Sequence, residues 1–153
     1  MADIFTSRKR SEIMARVRSR RNRSTELALA SAFRSAGITG WRRHPPLPGS
    51  PDFAFPSVKL AVFVDGCFWH GCPKHGRMPA ANKDFWSNKI ARNRHRDRKV
   101  AMLLKARGWR ILRVWEHDTR RKADKAARRV RRILEKARRE RERRAIVGKR
   151  QTR

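Results

Sequence analysis

The two cysteines of this chain lie in one short stretch that also carries two of its five histidines. Within AVFVDGCFWHGCPKHG, residues 61–76, Cys67, Cys72 and His75 have C-x4-C-x2-H spacing. Zinc takes four thiolate or imidazole ligands in a tetrahedron, and His117, which follows a later strand, is the predicted fourth ligand. Two reduced thiols and two solvated histidines are the alternative, because C-x4-C is less diagnostic than C-x2-C.

Two aspartates are candidates for a magnesium site. Asp52 begins one predicted strand and Asp65 ends the next, and Mg²⁺ prefers carboxylate and phosphate oxygens. An aspartate after a proline is also typical of a turn, which is the alternative for Asp52. Side chains alternate along a strand, so Asp65 shares a face with Phe63. The pattern leaves open whether both carboxylates point at the same ion.

His70 lies between the two cysteines, in a loop that already supplies three better-spaced zinc ligands. An imidazole near neutrality can act as general base on a water that attacks phosphorus, and the alternative is a solvated loop histidine. Phe68 and Trp69 precede it, and Trp86 begins a later helix. Aromatic side chains mostly fill cores. A short loop has little room for both Phe68 and Trp69, which favours stacking on or wedging between bases.

The charge of the chain indicates what it binds. It has 153 residues, a formal net charge of +29 and a pI near 12. Such an excess favours a polyanionic partner, with nucleic acid as the leading candidate and an acidic membrane surface as the alternative. No apolar run is long enough to cross a bilayer and the start has no signal-peptide core, so we expect a soluble, cytoplasmic protein.

The elements that position these residues follow from periodicity. A first helix is predicted in TELALASAFRSAG, with Ser24 as N-cap, Glu26 in the first turn, Leu27, Ala30 and Phe33 facing inward and Leu29 as a further inward candidate. A short strand is expected over residues 41–44, followed by a hairpin of DFAF and VKLAVFV.

A long helix is predicted from Asn82 to Gly108. Its inward stripe includes the polar residues Asn93 and Asp97 besides Trp86, Ile90, Ala101 and Leu104. The strand WRILRVWE follows, and an amphipathic basic helix begins at Thr119. We therefore divide the chain into a basic helical arm (1–22), a core (23–118) and a basic helical extension (119–153) that is expected to become disordered near Gly148.

The runs PDFAF, VFVDGCFWHGC, DFWSNKIARNRHRD and GWRILRVWEHD resemble, in this order, the very short patch repair (Vsr) endonucleases. These bacterial enzymes nick DNA at T:G mismatches, and the resemblance spans about residues 8–120. It implies a single α/β domain of the restriction-endonuclease-like class, with a central mixed sheet, flanking helices and a zinc-pinned loop. It also implies a structural Zn²⁺ and a catalytic Mg²⁺.

The resemblance implies roles for individual residues. Mg²⁺ would be bound by Asp52 and the main-chain carbonyl of Val64, with Asp65 as a further candidate. His70 would activate the water, and Glu26 would assist. Asp97 and Asn93 match polar positions of the long helix and would orient the site. The remaining matches are the aromatic wedge of Phe68, Trp69 and Trp86, and the zinc ligands Cys67, Cys72, His75 and His117.

Three positions depart from the family pattern. Val64 takes the place of a family threonine, and a metal bond through the main-chain carbonyl is expected to survive that change. Many members have histidine where this chain has Asp65, so a carboxylate reverses the local charge and could approach the metal or fix the tautomer of His70. The last zinc ligand of the family is often a cysteine after VWE, where this chain has His117, and imidazole serves zinc equally well.

The predicted reaction is hydrolysis of one DNA strand 5′ to the thymine of a T:G mismatch. The alternatives are a restriction-type or other site-specific endonuclease of related fold, and a non-catalytic zinc-containing module that binds DNA. The expected partner is double-stranded DNA with a mismatch, and a mismatch-repair protein or a cytosine methyltransferase is a further candidate. We expect the chain to act as a monomer.

Overall fold

The computed structural model describes the backbone of residues 25–151 and the side chains of residues 25–147. The predicted basic arm over residues 1–22 and the predicted N-cap Ser24 lie outside this range. Within it, no helix is long and apolar enough to cross a membrane.

The described chain forms three α-helices and four strands. In chain order they are α1 (Glu26–Ser35), β1 (Arg42–Arg43), β2 (Phe53–Phe55), β3 (Leu60–Asp65), α2 (Lys83–Ala106), β4 (Arg110–Trp115) and α3 (Glu116–Gln151), and a 3₁₀ turn (Pro56–Val58) joins β2 to β3. The predicted short strand, hairpin, long helix and following strand are confirmed.

The four strands form one mixed sheet in the order β1-β2-β3-β4. The pairs β1–β2 and β2–β3 are antiparallel, whereas β3 and β4 are parallel, with Phe63 opposite Arg113 and Asp65 opposite Trp115. Parallel neighbours require a crossover, and α2 with its preceding loop provides it. The carboxyl ends of β3 and β4 therefore lie side by side, and the cysteine loop and His117 follow them directly.

Helices cover both faces of the sheet. A core of Phe33, Phe53, Val62 and Val114 packs between the sheet, α1 and α3, to which α3 adds Ala126, Ala127, Val130 and Leu134. On the other face, Ala61 and Phe63 pack against Leu104 and Val100 of α2. The sheet is thus the middle of three layers, and its amphipathic helices bury one stripe each.

The inward face of α1 differs from the prediction. Glu26, Leu29, Ala30 and Phe33 are buried, but Leu27 is 38% exposed. The buried positions follow i, i+3, i+4, i+7 spacing from Glu26, and Leu27 lies about 100° around the helix from that residue. The prediction was wrong for Leu27 because it started the stripe on the first leucine instead of on a buried carboxylate.

The stripe of α2 is as predicted. Trp86 and Leu104 are buried, and Ile90, Asn93, Asp97 and Ala101 are half-buried between them. In α3, Lys122 has non-helical dihedral angles, and the helix then continues to Gln151. Its residues 141–147 are all exposed. The division into three domains stays a prediction.

Candidate active site and metal centre

Asp52 is a partly buried carboxylate just before β2, at the end of the sheet where the antiparallel β3 ends. Its Oδ2 accepts a hydrogen bond from the backbone N–H of Val64 at 2.6 Å. Burial raises the pKa of Asp52 from 3.8 to about 7, and the nearby carboxylates of Glu26 and Asp65 act in the same direction. Burial and like charge both disfavour the ionised form, so a cation bound here would be strongly favoured.

His44 and Glu26 complete a three-residue group with Asp52. One ligand atom from each of the three lies within 4.8 Å of the others. The backbone places His44 there, because its N–H donates to the carbonyl of Asp52 at 3.1 Å. Its φ of 45° is left-handed, a conformation that costs a non-glycine residue about 1 kcal/mol.

This group fits a divalent cation. His44 Nε2 is buried and has no hydrogen-bond partner in the described part of the chain, although Glu26 Oε2 lies 3.2 Å away. Glu26 is buried as the first residue of α1, and it also accepts a hydrogen bond from Arg43 Nη2 at 2.8 Å. The two carboxylates supply the oxygen ligands that Mg²⁺ and Mn²⁺ prefer, and the unused nitrogen of His44 is a further donor that suits Mn²⁺ better than the harder Mg²⁺.

His70 is oriented by Asp97 of α2. Its Nδ1 lies 2.7 Å from Asp97 Oδ2. A carboxylate only accepts, so this contact places a proton on Nδ1 and leaves the lone pair of Nε2 for another partner. α2 also fixes the backbone around His70, since Asn93 Nδ2 donates to the carbonyl of Trp69 at 2.9 Å and Arg94 Nη2 donates to that of Gly71 at 2.8 Å. The two polar residues of the α2 stripe thus both serve the loop.

Asp65 is buried and paired with an arginine. Arg113 Nη1 donates to both of its carboxylate oxygens at 2.8 Å. His70 Nε2 lies 4.0 Å from Asp65 Oδ1, so the residue that contacts the imidazole within hydrogen-bond distance is Asp97. The charge reversal at Asp65 is compensated within the chain by Arg113 of β4.

One open cavity of about 500 Å³ collects most of these groups. Asp65 shares its face of β3 with Phe63, as strand alternation predicts, and both line this cavity. The charged and titratable residues of its wall are His44, Asp52, Asp65, His70, Arg96, Asp97 and Arg113. The structure therefore brings together the predicted site residues of the strands, the loop and α2, with Glu26 behind Asp52.

The aromatic residues beside His70 form one cluster. Phe68 lies 5.1 Å from Trp69 and 5.2 Å from Trp86 between ring centroids, and the rings meet edge to face. Trp86 is buried, whereas Phe68 and Trp69 are half-buried. Phe85, which was not among the predicted aromatic residues of the site, packs on Trp86 and is 53% exposed. Lys89 Nζ lies 5.1 Å from the Trp69 ring centroid, which adds positive charge.

The second group joins the loop to the end of β4. The predicted ligand atoms of Cys67, Cys72, His75 and His117 lie within 4.8 Å of one another. His117 Nδ1 is 3.2 Å from Cys67 Sγ and 3.7 Å from Cys72 Sγ, and His75 Nδ1 is 4.0 Å from Cys72 Sγ. Zinc bonds to sulfur of about 2.3 Å and to nitrogen of about 2.05 Å in a tetrahedron give an S···N edge of about 3.6 Å. The four side chains fit a structural metal ion.

Sequence reasoning missed His44 and Arg113, the two cavity residues that form hydrogen bonds with the predicted site residues Asp52 and Asp65. Arg113 carries a detectable signal, since it is a charge between the apolar residues Leu112 and Val114 in the middle of the strand RILRVW. His44 carries none, because RRHPPLPG reads as an irregular basic connection. Only the pairing of residues 43–44 with residues 52–53 brings His44 to Asp52.

Carboxylates gathered at strand ends beside an oriented imidazole form the type of site used for metal-assisted phosphodiester hydrolysis. Comparison with known proteins agrees. The family profile described as DNA mismatch endonuclease Vsr matches residues 2–75. Type II nicking enzyme V.XorIIP of Xanthomonas oryzae pv. oryzae is 42% identical over 118 residues, which are 76% of this chain and 85% of that protein.

Two further relatives cover different shares of the chain. DNA mismatch endonuclease Vsr of Escherichia coli K12 is 36% identical over 117 residues, 76% of this chain and 74% of that protein. Type II nicking enzyme V.NaeI of Lentzea aerocolonigenes is 57% identical over 68 residues, 44% of this chain and only 41% of that protein.

The chain belongs to the Vsr family of DNA mismatch endonucleases, which confirms the resemblance found in its motifs. It is accordingly of the DNA-cleaving class of enzymes, and DNA is its substrate. Its α/β architecture with a mixed sheet and flanking helices is restriction-endonuclease-like, as predicted.

Proposed function

We propose that this chain is a Mg²⁺-dependent endonuclease that nicks one DNA strand 5′ to the thymine of a T:G mismatch. The observation that carries the proposal is the cavity in which Asp52 and the His70–Asp97 pair meet, directly beside the aromatic cluster. Family membership supports the reaction class. The T:G preference rests on the resemblance and on the relative described as a mismatch endonuclease.

The catalytic metal would be held by Asp52, with Glu26 and His44 as the other side-chain ligands. The carbonyl of Val64 remains a predicted ligand, and the contact of its N–H with Asp52 places this residue beside the site. The chemistry that Mg²⁺ supplies when bound is polarisation of the scissile phosphate and stabilisation of charge on the leaving 3′ oxygen. Asp65 is engaged by Arg113, so we assign it no metal bond.

His70 is the proposed general base. Asp97 holds its Nδ1 proton, so Nε2 can take a proton from the attacking water, and the carboxylate then stabilises the imidazolium that forms. Asn93 and Arg94 hold the loop carbonyls on either side, which keeps the imidazole in place against α2. Asp97 and Asn93 are in this account positioning residues.

The aromatic cluster is the proposed mismatch reader. Phe68 and Trp69 would wedge into the duplex beside the T:G pair, where weak stacking lowers the cost of opening the step, and the buried Trp86 would support them from behind. Their edge-to-face packing gives the cluster a fixed shape, and Lys89 places a cation beside it for the phosphate backbone. The basic side chains of α3 would add sequence-independent affinity for the duplex.

The Cys67, Cys72, His75 and His117 group is the proposed structural Zn²⁺ site. Burial raises the pKa of the Cys67 thiol above its usual range, and a bound cation would offset this by stabilising the thiolate. The ion would join the loop that carries His70 to the end of β4. It would therefore act on catalysis only through the position of that loop.

A second candidate function is site-specific nicking that does not depend on a mismatch. The names of several relatives favour it, since V.XorIIP and V.NaeI are described as type II nicking enzymes. A non-catalytic DNA-binding module is disfavoured, because binding alone requires neither the Asp52 group nor the His70–Asp97 pair.

The discriminating experiment compares duplexes of one sequence that differ only in a single pair, T:G, C:G or T:A, at moderate salt with Mg²⁺. We expect nicking of the T:G duplex alone. Equal rates on all three duplexes would replace the proposal with site-specific nicking. Tight binding without cleavage of any of them, across a panel of flanking sequences, would support the binding module.

A further inference from the structure

Several carboxylates of the proposed site would repel the phosphate that it has to bind. Asp52, Asp65 and Asp97 all line the cavity that would receive the scissile phosphate, and Glu26 lies behind Asp52. Arg43 already pairs with Glu26 at 2.8 Å, and a bound metal ion would compensate Asp52. Asp65 and Asp97 would still face a phosphate anion across a partly desolvated space, where like charges repel more strongly than in water.

Arg113 provides the missing positive charge. Its Nη1 binds both oxygens of Asp65 at 2.8 Å, and its Nη2 lies 3.3 Å from Asp97 Oδ1. The guanidinium lies over the ring of Phe63, 4.8 Å from the centroid. Two carboxylates and an aromatic face therefore fix its plane, whereas Arg96, the other arginine of the cavity wall, is exposed.

The clamped guanidinium retains donors for a ligand. Of the five N–H groups of an arginine, two bind Asp65 and one faces Asp97, and no contact within the described residues occupies Nε or the second N–H of Nη2. The side chain is 29% exposed and lines the cavity. It is thus a preorganised donor that needs no rearrangement when an anion enters.

We propose that Arg113 is a further catalytic residue, which contacts the scissile phosphate, and that Asp65 is the positioning residue that holds it there. This inference rests on the proposed function for the identity of the anion. It also gives Asp65 a role, since the carboxylate that reverses the charge of the site is the one that fixes the compensating cation.

The first test compares nicking rates under single-turnover conditions. Arg113→Met is expected to slow nicking of a T:G duplex about 100-fold or more, as for removal of other preorganised donors. The double variant Arg113→Met/Asp65→Asn removes the stranded carboxylate, so it is expected to be faster than the single variant and still at least about tenfold slower than the parent chain. Arg113→Lys keeps the positive charge but loses the forked guanidinium. Its nicking rate is expected to lie between that of Arg113→Met and that of the parent chain.

The second test does not depend on cleavage. Affinity for a T:G duplex is measured against salt concentration in Mg²⁺-free buffer with zinc retained. Loss of one phosphate contact lowers the slope of log K against log salt by about 0.9. We expect this change for Arg113→Met/Asp65→Asn. The matched control is Arg110→Met on the same strand, at the end of β4 away from the site, where Arg110 pairs with Glu140.

The outcomes distinguish failure of the Arg113 proposal from failure of the proposed nicking function. If the double variant folds and shows the parent's nicking rate and salt slope, Arg113 is only a structural partner of Asp65 and the proposal is overturned. The same holds if Arg110→Met changes the slope as much as the double variant does. If the parent chain nicks no T:G duplex, the proposed function fails instead, and a slope change confined to the Arg113 variants would still support the phosphate contact.

Discussion

Replacing Asp52 by asparagine is expected to stabilise the metal-free protein while abolishing cleavage. Burial raises the pKa of this carboxylate from 3.8 to about 7, so the folded state binds a proton that the unfolded state releases. The contribution of Asp52 to the free energy of unfolding is therefore fully present below about pH 4. It is lost as the pH rises towards 7, because ionisation favours the unfolded chain. Asparagine keeps an acceptor for the N–H of Val64 and carries no charge to desolvate.

The size of the effect follows from the same values. A pKa that rises from 3.8 to about 7 corresponds to at most about 4 kcal/mol at pH 8. This is an upper limit because the side chain is only partly buried and water screens it. The difference in unfolding free energy between Asp52→Asn and the parent chain is expected to grow between pH 5 and pH 8, by at most about 2.5 kcal/mol.

The assay is urea unfolding at several pH values in Mg²⁺-free buffer with zinc retained. Asp124→Asn is the matched control, because Asp124 is exposed and pairs with Arg128 on the surface of α3. Adding Mg²⁺ is expected to stabilise the parent chain and leave Asp52→Asn unchanged, since a ligand stabilises only the state that binds it. A difference that does not vary with pH, or an Asp52→Asn chain less stable than the parent at pH 8, would show that burial of the Asp52 charge does not destabilise the folded chain.

Four further substitutions test the remaining parts of the site. His70→Ala is expected to bind a T:G duplex normally and to nick it about 10²- to 10⁴-fold more slowly; parent-like nicking would remove the general-base assignment. His44→Ala is expected to weaken Mn²⁺ binding, read by electron paramagnetic resonance without DNA, and unchanged affinity would exclude His44 as a ligand. Cys72→Ser is expected to contain no zinc, as measured by native mass spectrometry, and to melt at a lower temperature. Full zinc content in this variant would contradict the proposed zinc site. Trp69→Ala is expected to weaken binding of a T:G duplex by about 1–3 kcal/mol and that of a T:A duplex by less, and equal losses would argue against a wedge.

Much of the fold could be predicted because its local patterns agree with its tertiary contacts. The apolar run LAVFV, rich in β-branched residues, and the turn residues before it predict the β2–β3 hairpin, and this pairing is present. The stripe of α2 was predicted together with its two polar interruptions, Asn93 and Asp97, which face the loop. The phase of α1 was not predictable in the same way, since its buried face begins with Glu26, a residue that hydropathy places outside.

The residues of the candidate site likewise fall into those that local sequence patterns predict and those that they do not. Asp52 and His70 stand out through residue type and motif, and so does the Cys67 cluster. His44 and Arg113 become relevant only through contacts between distant parts of the chain, His44 with Asp52 and Arg113 with Asp65. Such pairings depend on sheet register, and one unaligned sequence specifies register only weakly where strands are as short as Arg42–Arg43.

The most direct test of the account is to map the cut itself. A duplex with one T:G pair is labelled on both strands and incubated with Mg²⁺, and each strand is resolved to single nucleotides beside its T:A counterpart. We expect one Mg²⁺-dependent nick, 5′ to the mispaired thymine, with the opposite strand and the matched duplex intact. Cleavage of both strands, or equal cleavage of the matched duplex, would contradict it.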